Sequence, residues 1–161
     1  MTALLGLTGC DLPVRYDAAK DVHDFLQAVK DNDRAAFEAH IDRPALRRQL
    51  RGQVGKAVAG AGFAGADVDA FLGGHAGDAL VDQLIAPETF RIVWVRSGVS
   101  PERIPSAAEL LPLLRVEGPD SACLHDLKRP DRCALTFHKE AAGWKLAGVD
   151  AGAVQVAPRT S

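Results

Sequence analysis

The sequence predicts an α+β domain in which N-terminal helices pack on a C-terminal four-stranded antiparallel meander. Three observations carry this. Apolar residues recur at helical spacing up to about Ile85. From Leu113 onward, short apolar runs alternate with turn residues. The composition, 47% hydrophobic and 25% charged over 161 residues, is that of one ordinary globular domain. A chain of this length buries roughly 68–70% of its unfolded surface, enough for one core. With 19 basic and 21 acidic residues the net charge is −2, which excludes a strongly basic nucleic-acid binder. No run of about 18 apolar residues spans a membrane.

Ala18, Val22, Phe25, Leu26 and Val29 fall at i, i+4, i+7, i+8 and i+11, one face of a helix from about Arg15 to Asp31. Asp33 is placed to cap a short second helix carrying Phe37 and Ile41. Pro44 suits the first turn of a third helix, whose stripe is Leu46, Leu50, Val54 and Ala57. Arg43, Arg47, Arg48 and Arg51 lie off that stripe and form a basic face. Such a face either attracts an anionic headgroup or ligand, or is simply solvated. Asp31, Asp33, Glu38 and Asp42 are near enough in sequence to neutralise it.

Residues 52–77 are glycine-rich and read as a loop between helices. Gly60–Gly65 matches G-x-G-x-x-G literally. A helix precedes it where a dinucleotide site needs a strand, so the match fails its context. Val68, Phe71 and Leu72 form an apolar patch, and Leu80, Val81, Leu84 and Ile85 a fourth helix face ending before Pro87. Pro87–Val95 is ambiguous: β-branched and aromatic content argues for a strand, the Pro-Glu start for a helix. Residues 97–112 read as a linker with a short helix at Ala107–Leu111. Leu113–Glu117, Ala122–Leu127, Cys133–His138 and Trp144–Val149 are the four strands, joined by turn-rich segments. Cys133, Leu135 and Phe137 alternate onto one face, as do Trp144 and Leu146, and the helices are the available cover.

At the N-terminus, Leu7-Thr8-Gly9-Cys10 resembles a bacterial lipobox. The resemblance implies that residues 1–10 are a lipoprotein signal remnant and that Cys10 is lipidated. Residues 11–161 are then a single domain held by its lipid at the periplasmic face of a bacterial membrane, inner or outer being left open. No Lys or Arg precedes the apolar stretch, and it is shorter than a full signal core.

Lipidation of Cys10 leaves an even pair, Cys123 and Cys133. In an oxidising compartment these two bridge; otherwise they pack as buried thiols. With a turn at residues 128–131, Cys123 faces Thr136, so a bridge to Cys133 requires a bulge or a looser loop.

Asp31-Asn32-Asp33 leading to Ile41–Arg47, Leu80–Glu88, and Cys133–Phe137 with Gly143–Leu146 are together similar to the signatures of domain-of-unknown-function family 2939. These are packing motifs. The resemblance implies an exported or membrane-tethered protein with no assigned activity, and a helix at the Pro87-Glu88 segment. The order of helices and strands also resembles the nuclear transport factor 2-like, cystatin-related roll, which often encloses a pocket between helices and sheet. Fold resemblance alone does not carry function.

The remaining chemistry is sparse. His75, Asp78 and Asp82 share a helix face at i, i+3 and i+7, but Gly77 is expected to interrupt that helix and no strong third ligand is near. His125 and Asp126 point to opposite faces of a strand. His40 and Asp42 meet at a helix junction, where Asp42 suits a cap. Ser97, Ser100, Ser106 and Ser121 lack a nucleophile-elbow context. No catalytic residue, metal site or cofactor is assigned.

The preferred reading is a non-catalytic envelope lipoprotein binding a partner protein or a small apolar ligand. The alternatives are a roll-type pocket enzyme with a buried His or Asp as base, and an accessory protein working through an apolar patch around Trp94.

Overall fold

Pro13 in the first turn and a continuous apolar stripe make α1 (Leu12–Asp31) the spine of the molecule. In the computed structural model, which describes residues 11–62, 70, 74–96, 100, 102–125 and 129–150, Ala18, Ala19, Val22, Phe25 and Val29 are all buried. The helix ends at Asn32, whose left-handed φ of 53° turns its N–H back onto Ala28 and Val29 carbonyls. Asp33 then caps α2 (Arg34–Ala39), its Oδ1 accepting from the Ala36 N–H at 3.0 Å. The second helix stops before Ile41, shorter than the apolar spacing suggests. Ile41 instead makes a single parallel bridge to Leu146. Asp42 caps α3 (Arg43–Gly60) through the Ala45 N–H at 3.0 Å.

The third helix carries the stripe expected through Ala57 and runs on to Gly60, which corrects the competing reading of residues 52–60 as loop. Gly52, Gly55 and Gly60 lie within it. Each glycine costs about 1 kcal/mol against alanine in a helix, and packing on the sheet outweighs that. Leu46 is fully buried, Leu50 and Val54 are half-buried, and Ala57 is exposed. The Val68, Phe71 and Leu72 patch lies outside the described residues. The fourth helix, α4 (His75–Leu84), runs straight through Gly77, which is buried inside it rather than interrupting it. Pro87–Arg96 is a helix, α5, with Pro at its start and Glu88 in its first turn. Ser106 and Glu109 form a reciprocal capping box at α6 (Ala107–Leu110), which passes into a 3₁₀ turn at Leu111–Leu113.

The sheet is a meander of β1 (Leu114–Val116), β2 (Ser121–His125), β3 (Cys133–Glu140) and β4 (Gly143–Val149), antiparallel throughout. Leu114, Leu124, Leu135 and Val149 form one cross-strand row. Val116, Ala122, Phe137 and Leu146 form the next. Both rows belong to the core. Both sheet edges take hydrogen bonds from the helical half. On β4, the His40 carbonyl accepts from the Leu146 N–H at 2.9 Å, and the Asp42 N–H donates to the Leu146 carbonyl at 2.8 Å. Gln49 exchanges two hydrogen bonds with the Val149 backbone, at 2.7 and 2.9 Å. On β1, Arg15 reaches the Leu114 carbonyl at 3.0 Å.

Phe25 stands at the centre of the core. Its ring centroid lies 5.8 Å from Phe37, 5.8 Å from Phe90 and 5.9 Å from Phe137, tying α1 to α2, α5 and β3. At the other end of the sheet, Gly143 adopts φ 123° and lets the Trp144 N–H donate to Asp21 of α1 at 2.8 Å.

Candidate functional site

The space between α1 and the sheet, where a roll would keep its pocket, is filled. Phe25, Phe37, Phe137, Trp144 and Leu146 are each at most 1% exposed there. Two depressions among the described residues open instead on the outer surface of the helices, and Glu88 lines both.

The first depression is mostly apolar. On α5, Glu88, Arg91, Ile92 and Val95 follow one another at i, i+3, i+4 and i+7, the spacing of a single helix face. That face looks outward, because Phe90 and Trp94 turn inward and pack on the core. Ile92 is 53% exposed and Val95 51%. With Asn32 they line a hollow of about 430 Å³. Trp94 is half-buried, so the apolar surface centres on Ile92 and Val95 rather than on the tryptophan. Composition hides this face, because Pro87–Arg96 carries apolar residues on every side. Spacing within a helix would have found it once the helix was fixed.

The second depression, about 580 Å³, is a charged seam between α2, α3, α4 and the start of α5. Arg34 donates to Glu88 at 2.8 Å. Arg43 grips Glu38 through Nε and Nη2 on one edge of its guanidinium, reaches Asp82 at 3.1 Å, and donates to the Ile85 carbonyl at 3.2 Å. Arg47 holds Asp82 in a bidentate pair at 2.6 and 2.5 Å, and Arg51 pairs with Asp78. Hydrogen bonds and charge from Arg47 and then Arg43 hold the Asp82 carboxyl below the usual carboxylate range. The Arg34 guanidinium and backbone N–H donation do the same for Glu88.

The basic face expected from Arg43, Arg47, Arg48 and Arg51 is therefore largely neutralised. Of the acidic residues near it in sequence only Glu38 takes part. Asp33 and Asp42 are helix caps, and Asp31 accepts from Gln27. Asp78 and Asp82 do most of the neutralising, from a helix 27 to 39 positions away. The same pairing removes them from any metal set with His75, which is exposed. Among the described residues no cluster of three His, Cys, Asp or Glu is placed to hold a metal.

His23 Nδ1 donates to the Pro105 carbonyl at 2.8 Å, His40 ends α2, and Ser106 is spent on its cap. Cys10, Ser97 and Asp126 lie outside the described residues. Cys123 and Cys133 are bridged, with Cα atoms 5.5 Å apart. Cys123 does face Thr136. The needed bulge falls between Leu124 and His125, bringing Cys133 opposite His125.

Residues 16–92 match the model of a family described as a protein of unknown function, DUF2939. The match takes in both helical signatures and stops before the strand segment Cys133–Leu146. No curated protein and no solved structure matches the chain.

Proposed function

For a chain whose residues 16–92 match the DUF2939 family model, we propose a non-catalytic lipoprotein of the bacterial cell envelope. It is anchored through Cys10 at the periplasmic face and captures a partner protein or a small apolar ligand on the outer face of α5. The observation that carries the reading is the hollow on α5. Ile92 and Val95 stay half in water there. Arg91 at the rim is exposed and makes no ion pair among the described residues. Apolar surface with a single unmatched charge suits a ligand that brings an anionic group.

Two further features support it. The ionisable groups of the neighbouring seam are committed to one another, and large buried side chains fill the space between α1 and the sheet. The Cys123–Cys133 bridge fits an oxidising compartment.

Two measurements test the proposal. Intact mass of protein from its native membranes should show residues 1–9 removed, Cys10 acylated, and Cys123–Cys133 oxidised. An unmodified mass refutes the anchor. Anilinonaphthalene sulfonate, an apolar probe with one anionic group, should bind with enhanced fluorescence, and Ile92→Asp or Arg91→Glu should abolish this without changing the circular dichroism. Binding that survives both substitutions rules out α5.

A further inference from the structure

Resting on the anchor reading above, we infer that the first turns of α1 form a second attachment to the phospholipid bilayer: Leu12 and Tyr16 insert at the headgroup level, with Lys20 above them. Position makes the argument. Only Asp11 separates Cys10 from the first helical residue. An acyl chain on Cys10 would leave α1 no slack, and its opening turn must lie against the membrane surface.

What α1 presents there is suited to it. Leu12 is 61% exposed and Tyr16 48%, whereas most large apolar side chains among the described residues are covered. They lie at i and i+4 on one face, followed at i+8 by exposed Lys20, whose ammonium sits 5.9 Å over the Tyr16 ring. An aliphatic residue, then tyrosine, then a lysine is the order of polarity met on leaving a bilayer. Asp17 pairs with the same ammonium at 3.5 Å. The outward face then turns acidic at Asp24 and Asp31, so contact is confined to the first turns. The roll of the helix is fixed from inside, because Arg15 donates to the Leu111 carbonyl at 2.7 Å and to Leu114 at 3.0 Å. Leu12 and Tyr16 cannot rotate into the core. At 1.5 Å per residue, α1 is about 30 Å long. The α5 hollow, lined by Asn32 at the far end of α1, is thereby held away from the lipid.

Tyr16 is the single tyrosine of the chain, so fluorotyrosine reports this position alone. The lipidated full chain on phosphatidylglycerol–phosphatidylethanolamine vesicles should show its ¹⁹F resonance broadened by nitroxide lipid. Broadening by an aqueous gadolinium chelate should be several-fold weaker than in the Cys10→Ser chain without vesicles. Leu12→Ser with Lys20→Glu should restore chelate access while the protein still floats with the vesicles. Full chelate access in the floating, lipidated wild type overturns the inference and leaves the anchor intact. A chain unmodified at Cys10 overturns both.

Discussion

Reduction of the Cys123–Cys133 bridge isolates the contribution of one covalent constraint. The bridge closes a loop with a sequence separation of 10. The chain-entropy relation gives about 9 cal/mol/K for a loop of that size, or about 2.7 kcal/mol at room temperature. Against a typical total of about 5–15 kcal/mol this is a large share. For a domain of this size it corresponds to a fall in Tm of about 5–11 °C. The assay is thermal unfolding followed by Trp fluorescence, with and without reductant, the thiols being counted by mass-tagging. Cys123→Ala with Cys133→Ala should reproduce the reduced value and become insensitive to reductant. If the reduced wild type, with both thiols free, melts within about 1 °C of the oxidised form, the β2–β3 ladder already restrains that loop in the unfolded chain and the entropic account fails.

Three further outcomes are expected. Phe25→Ala should cost about 3–5 kcal/mol in urea unfolding, because one substitution vacates contacts to Phe37, Phe90 and Phe137; Phe25→Leu should recover much of the loss. Gly143→Ala should cost about 1–3 kcal/mol: its φ is 123° and its Cβ would meet Asp21 Oδ2 at 2.8 Å, so adding Asp21→Ala should relieve the clash but not the backbone strain. Asp82 has a folded-state pKa below its unfolded value, so the unfolded chain binds the extra proton; its contribution is complete above the ordinary carboxylate range and is lost as pH falls through the lowered value. In an acid titration Asp82→Asn should flatten that limb of the stability curve, and an unchanged slope would show that the Arg47 pair contributes nothing.

Much of this protein follows from local rules that any stretch of chain carries within itself. The stripe on α1, the caps at Asp33 and Asp42, the helix start at Pro44 and the alternation in β3 and β4 each depend on neighbours a few positions away, and each is legible in the sequence. The cysteine spacing left a bulge or a looser loop open, and the β2–β3 ladder takes the bulge. Where glycine content argued for a loop or a break, at Gly60 and Gly77, the local reading failed: α3 runs on to Gly60 and α4 runs through Gly77.

Long-range partnership was decided only by the tertiary structure. Nothing in the spacing of Arg43, Arg47 and Arg51 says that Asp82 and Asp78 will neutralise them. Nothing in Pro87–Val95 says which apolar residues will be left in water. A helix has one buried side, and only the position of its neighbours selects it. Phe90 and Trp94 turn toward α1 and the core, and Ile92 and Val95 remain outside as the surface available to a ligand.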